Sequence, residues 1–315
     1  MKSNTKGSLI LLLTTVLWGF TFVAQDLAME VIRPYTFQAV RSLIGSLVLV
    51  PVILVMDGIK KKNGTYVPPT KQENKTLLVG GIVCGFFLCI ASCLQQVGIA
   101  FGTSGGKAGF ITAMYIIFVP LFGLFLGKKV QPHIWLCVVL AGVGLYLLCM
   151  KSGEFRFEMG DLLVLGCAVA FGFQILAVDH FAPKVVDCLK LSALEFLMSG
   201  LLSTIPMFIF EGAGELALVP RAIGPILFAG VLSCGVAYTL QTIGQKYTEP
   251  AIASLIMSFE AVFAAIAGTF VALFNLFGVE SSIMSVREFI GCGIMLAAIL
   301  LSQANFNFGK KKKQA

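Results

Sequence analysis

Glu260 is the single charged residue in an apolar stretch running from 250 to 274. A carboxylate set among hydrocarbon is costly, so a Glu in such a place faces a polar cavity, pairs with a cation or holds a proton. Arg41 is the single charged residue of another apolar stretch, 34–56. Its long side chain can reach toward Glu260 or extend to the nearer interface. Trp18, Tyr115 and Phe171 also interrupt apolar runs near their midpoints, with Phe20, Thr21, Phe173 and Gln174 within a turn of them. Together these types could bind and release a small solute, and Glu260 is the candidate for coupling that movement to protons. The plainer uses are a structural hydrogen bond locking Glu260 to neighbouring helices, and aromatic rings that pack or face lipid.

Composition names the medium in which these side chains sit. The 315-residue chain is 57% hydrophobic and 12% charged, with a mean hydropathy of +0.92. Its 27 Phe and 33 Gly fit helices that face lipid and pack closely on one another. The net charge of +7 resides in short segments between apolar runs, which excludes a nucleic-acid footprint and reads as a topology signal. Nine Cys and two His occur without a CxxC pair or a ligand-spaced cluster, so neither a metal nor a cofactor is expected. No Walker-type GxxxxGK[ST] is present.

A membrane-crossing helix needs about 20 mostly apolar residues. Ten such runs are expected, at 8–26, 34–56, 76–101, 104–127, 132–150, 159–179, 190–210, 222–246, 250–274 and 286–306. The N-terminal run is a retained first helix rather than a signal peptide, because it lacks a small-residue cleavage site. At about 1.5 Å of rise per residue, Trp18, Tyr115, Phe171 and Glu260 all fall near the bilayer midplane.

Residues 7–26 and 160–179 are variants of one segment. Gly7, Leu9, Gly19, Phe20, Ala24 and Asp26 recur at a constant spacing of 153 as Gly160, Leu162, Gly172, Phe173, Ala177 and Asp179. Five crossings per copy is an odd number, so the second copy is inverted relative to the first. The expected fold is all-α integral membrane, with ten transmembrane helices as two inverted five-helix repeats. The repeats span 7–150 and 159–306, and 307–315 forms a basic cytoplasmic tail. Carriers built this way expose a midplane site to either side in turn. Asp26 and Asp179 then end helices 1 and 6 at opposite, wet faces.

A second match joins helices 3–4 to helices 8–9. Leu94-Gln95 with Gly98 recurs as Leu240-Gln241 with Gly244. Further on, Val119-Pro120-Leu121 aligns with Glu260-Ala261-Val262 if helix 4 carries one extra turn, leaving Val119 as the counterpart of Glu260. Gln95, Pro120 and Gln241 are candidates for gating or for interhelical packing. Arg41 aligns with Glu195, but inverted symmetry places the two in opposite leaflets, which argues against a bridge between them. Lys107, at the mouth of helix 4, reads as solvated surface.

Several of these segments resemble the EamA-type branch of the drug/metabolite transporter superfamily. They are Trp18-Gly19-Phe20, Arg41, Thr103-Ser104 through Val119-Pro120-Leu121-Phe122, and Pro250 through Ser258-Phe259-Glu260-Ala261-Val262. Ala261 replaces the proline usual in the last motif. Lys128 and Gly278 stand where an acid commonly ends helices 4 and 9, with Glu280 slightly beyond. The resemblance implies ten helices in two homologous halves and export of small metabolites, amino-acid-like compounds or drugs. A lipid-linked substrate flippase is the nearest alternative, and an integral-membrane enzyme a more distant one.

With the N-terminus inside, sixteen Lys lie in inner segments against six basic residues in outer ones. That bias places both termini in the cytoplasm of a cell (cytoplasmic) membrane. The expected partners are the lipid bilayer, a small-molecule substrate and, as a candidate, protons. The chain is expected to act as a monomer or homodimer.

Overall fold

The computed structural model describes residues 5–103, 105–150, 158–274 and 284–304. Ten helices in it are long and apolar enough to cross a membrane. They are α1 (Thr5–Met29), α2 (Pro34–Lys62), α3 (Lys71–Ala100), α4 (Lys107–Phe125) and α5 (Pro132–Cys149) in the first half. The second half holds α6 (Met159–Lys184), α7 (Cys188–Glu211), α8 (Ala213–Gln245), α9 (Pro250–Phe274) and α10 (Val286–Gln303). The segment 307–315, Ser104, Lys151, Arg156, Gly278 and Glu280 lie outside the described residues.

Local signals set where helices begin. Proline occupies the first turn of α2, α5 and α9, where its missing N–H is not needed. Thr70 with Glu73 and Ser285 with Glu288 form capping boxes that start α3 and α10. Several helices run past their apolar stretches. Lys60, Lys61 and Lys62 form the last turn of α2, where cations complement the helix dipole. The connection between α2 and α3 is therefore shorter than the 57–75 left between the expected spans, with Lys71 and Lys75 already inside α3.

Packing shows the inverted duplication contact by contact. Gly7 lies against Gly244 and Thr248, while Gly160, 153 residues later, lies against Gly98 and Thr103. Gly19 packs on Phe263 and its counterpart Gly172 on Phe118. A Cβ on Gly85 would come 2.5 Å from the Glu195 carbonyl oxygen and 2.7 Å from Met198 Cβ. One on Gly230 would come 3.1 Å from the Arg41 carbonyl and 3.0 Å from Ile44 Cβ. Arg41 of α2 and Glu195 of α7 are thus equivalents, each held against a glycine of the other half.

The same comparison corrects the register of α4 against α9. Each helix is broken at mid-length: α4 into Gly105–Thr112 and Tyr115–Phe125, α9 into Pro250–Met257 and Glu260–Phe274. The tight turns at the breaks agree bond for bond at a spacing of 145. Met114 N–H donates to Ile111 O and Phe259 N–H to Ile256 O, both at 3.1 Å. Ile117 N–H donates to Met114 O at 2.9 Å and Val262 N–H to Phe259 O at 3.0 Å. No extra turn is present in α4, and the counterpart of Glu260 is Tyr115, not Val119.

One residue is inserted elsewhere. Gly85 and Gly230 are 145 apart, but Gln95 and Gln241 are 146 apart. Between them α8 winds as a π-helix over Phe228–Ala237, the form that accommodates a single extra residue. Ser233, inside this π-helical stretch, lines the central cavity.

Candidate substrate cavity between the two halves

A cavity of about 50 Å³ lies where the halves meet. Its wall takes equivalent positions from both repeats: Trp18 with Phe171, Thr21 with Gln174, Phe22 with Ile175, Gln95 with Gln241, Thr112 with Met257, and Tyr115 with Glu260. Arg41, Gln25, Ser233 and Tyr238 complete it without equivalents on the wall. At ~10–15 Å³ per water the space holds only a few water molecules, so a larger solute requires the helices to move.

Tyr115 and Glu260 each open the second half of a broken helix. The Tyr115 hydroxyl donates to Glu260 Oε1 at 3.1 Å, and both residues are buried. This corrects the expected Arg41–Glu260 bridge. Among the described residues Arg41 makes no ion pair. Its Nε donates to Gln38 Oε1 at 2.7 Å, and its guanidinium stacks 4.8 Å from the Phe37 ring centre. Arg41 is 5% exposed, which also excludes extension to the interface. Its charge and the Glu260 carboxyl instead sit on one wall system without touching, open to groups that enter between them.

Trp18, Phe22, Phe171 and Tyr238 add aromatic rings to the wall. Trp18 and Tyr238 lie 4.7 Å apart between ring centres, and Tyr115 lies 6.5 Å from Phe171. Trp18 Nε1 and Gln241 Oε1 are buried and have no protein hydrogen-bond partner. Buried polar groups are usually satisfied, and these two belong to the cavity wall, where a bound molecule can reach them.

Seven of the nine residues expected in the site line this cavity: Trp18, Thr21, Arg41, Tyr115, Phe171, Gln174 and Glu260. Phe20 and Phe173 do not; they are 37% and 38% exposed on the outer side of their helices. Phe173 stacks against Phe122 at 4.5 Å and Phe87 at 5.4 Å. Gln95 and Gln241, candidates for gating or for interhelical packing, are also on the cavity wall. Gln95 donates to Thr112 Oγ1 at 3.0 Å. Tyr238 was not expected, because its equivalent position holds Ser92 and the repeat gives no echo of it. Phe22 with Ile175 would follow from extending the 153-residue match by one position.

A second, wider space of about 600 Å³ opens at the face carrying the start of α1. Pro120 and Val119 of α4, Gln245 of α8 and Pro250 of α9 line it, with Lys128, Asp179 and Glu249 at its rim. Gln241 on the cavity side donates to Gln245 on the vestibule side at 2.9 Å. These two amides stand between the compartments.

Ion pairs join α4 to α6 near both ends. Lys107 meets Asp161 at 2.5 Å, with the acid fully buried, so Lys107 is not solvated surface. Thr103 donates to the same carboxylate at 3.1 Å. At the other end Lys128, just after α4, pairs with Asp179. The equivalent positions between α9 and α1 hold Ile252 with Ser8 and Leu273 with Asp26, so neither pair is repeated there.

Ten membrane-spanning helices in two inverted halves around a shared central cavity define a membrane transporter fold. Residues 5–150 and 158–304 each match the EamA-like transporter family, and the chain belongs to that family. It is 27% identical over 296 residues to an uncharacterized transporter of Archaeoglobus fulgidus, covering 92% of this chain and 83% of that one. It is 26% identical to the uncharacterized transporter YwfM of Bacillus subtilis, covering 96% and 95% of the two chains. A solved crystal structure shares the fold with a TM-score of 0.69 at 18% identity, covering 95% of this chain and 96% of that one. The protein is a transporter and not an enzyme.

Proposed function

We propose that this transporter exports small amino-acid-like metabolites or drugs by opening the central cavity alternately to the two sides of the cell membrane. The observation that carries this reading is the cavity wall itself, which draws equivalent positions from both halves and presents Arg41 and Glu260 from opposite repeats. A carboxylate on the solute would meet Arg41, an ammonium would meet Glu260, and an apolar body would stack on Trp18, Phe171 and Tyr238. Glu260 exchanges a proton as the cavity changes sides and so ties transport to the proton gradient. The excess of Lys in segments joined to the N-terminal face puts both termini in the cytoplasm, so the vestibule is the cytoplasmic entrance. The cavity is complete within one chain, and a monomer suffices.

The experiment is counterflow in proteoliposomes preloaded in turn with amino acids, amphipathic cations and lipid-linked sugars. Exchange of a zwitterionic or cationic solute, reduced at least tenfold by Arg41→Gln, supports the reading. Exchange confined to lipid-linked compounds overturns it in favour of a flippase.

A further inference from the structure

Glu195 is a second buried acid in the membrane-spanning region, and it lies off the cavity wall. It is 0% exposed in the second turn of α7, at the position equivalent to Arg41. Oε1 accepts from Gln174 Nε2 at 2.7 Å, whereas Oε2 is buried with no protein partner. One turn along, the Ser199 hydroxyl is also buried without a partner. Cys84 of α3, Cys234 and Tyr238 of α8, Arg41 of α2 and, by way of Tyr238, Glu260 of α9 are the titratable or charged groups whose fields reach this region. Gln174 is the polar contact from α6. Among the described residues no cation pairs with Glu195, so an ionised carboxylate there would stand uncompensated in hydrocarbon.

The carboxyl is also the end of a hydrogen-bond chain that crosses the barrier between the two spaces. Gln174 accepts from Gln241 Nε2 at 3.2 Å, and the same Gln241 nitrogen donates to Gln245 Oε1 at 2.9 Å. Gln245 Nε2 is anchored on the Ile175 carbonyl at 2.9 Å. Gln241 faces the cavity and Gln245 the vestibule. We propose that Glu195 holds a proton in this closed arrangement, and that losing it releases the Gln241–Gln245 barrier. An anion at 195 demands donors at both oxygens, and charge-assisted bonds outcompete neutral ones. Besides the Ser199 hydroxyl, the amides of the chain are the donors available to it. Turning one toward Glu195 takes it from the barrier.

The inference goes beyond the role given to Glu260, and it rests on the transport reading only for its consequence. Its test needs no transported solute. Infrared spectra of the purified full-length protein at neutral pH resolve protonated from ionised carboxyls. A protonated-carboxyl component absent from Glu195→Gln and retained in Glu260→Gln is the expected result. If Glu195→Gln keeps every such component of the parent, Glu195 is ionised and the proposal is wrong. Glu195→Leu gives the same comparison should the amide variant not fold. Measured against the intrinsic amide rate, which itself rises with pH, hydrogen-exchange protection of residues 238–245 should fall at alkaline pH in the parent protein and stay constant in Glu195→Gln. An identical response in both overturns the gating role. Sodium-specific thermal stabilisation that disappears in Glu195→Gln would assign the site to a metal cation and also overturn the proposal.

Discussion

Tyr115 and Glu260 stand at equivalent places in the two halves, 145 residues apart, and are hydrogen-bonded to each other at 3.1 Å. Equivalent residues in an inverted repeat can touch only near the axis that relates the halves, so this bond marks the centre of the molecule. The scaffold is duplicated around it while the chemistry is not: one half contributes a phenol and the other an acid. The same division holds for Arg41 and Glu195. Symmetric helices thus carry an asymmetric set of charges.

Removing the phenol isolates this bond. Tyr115→Phe leaves Glu260 Oε1 buried without its donor, a loss of about 1–3 kcal/mol. The variant should melt below the parent in detergent and exchange solute more slowly. A melting temperature equal to that of the parent would show that the bond contributes nothing.

The two α4–α6 ion pairs should differ in weight. Asp161 is fully buried and Lys107 nearly so, whereas the Lys128 side chain is 36% exposed. Leaving one member of a buried pair unpartnered costs about 3–5 kcal/mol, and an exposed pair contributes ~0–1 kcal/mol. Asp161→Asn is therefore expected to lower thermal stability far more than Asp179→Asn. Equal losses would contradict the burial difference.

Close helix approach makes its own prediction. Gly85→Ala would drive a methyl into the Glu195 carbonyl and Met198, an overpacking cost of about 1–3 kcal/mol. Gly58, inside α2, has nothing within 4 Å of such a methyl. Gly58→Ala should gain ~0.5–1 kcal/mol from reduced backbone freedom. Melting temperatures of the two variants should move in opposite directions.

How far the residues announced this arrangement varies from place to place. Trp18 with Phe171 and Thr21 with Gln174 were legible because α1 and α6 keep enough identical residues to fix their register. Tyr115 with Glu260 was not. The match between α4 and α9 resides in backbone turns at 113–114 and 258–259, which different side chains make equally well. Val119-Pro120 lies a turn beyond the break in α4, whereas Glu260-Ala261 follows the break in α9 directly. Phe20 and Phe173 recur in step yet face outward, since a repeat conserves lipid-facing aromatics as readily as cavity-lining ones. The partner of Arg41 was hidden because Gln38, one turn earlier on the same helix, satisfies it locally.

Glu249, in the connection between α8 and α9, supplies a pH dependence. Burial is the largest influence on it and pushes its carboxyl above the usual range. An acid raised on folding favours the native state fully below its unfolded value. That contribution is lost as pH rises through the folded value. Glu249→Gln should match the parent at acid pH and melt slightly higher at neutral pH. The gain is small because the residue is only half-buried. A variant less stable than the parent at neutral pH would reverse the sign.

The most direct test of proton-coupled transport through the central cavity is solute accumulation in proteoliposomes under an imposed pH gradient, comparing the parent chain with Glu260→Gln on radiolabelled amino acids. The parent should concentrate a solute against its own gradient, while Glu260→Gln should equilibrate it without concentrating it. Accumulation by Glu260→Gln equal to that of the parent would contradict the account.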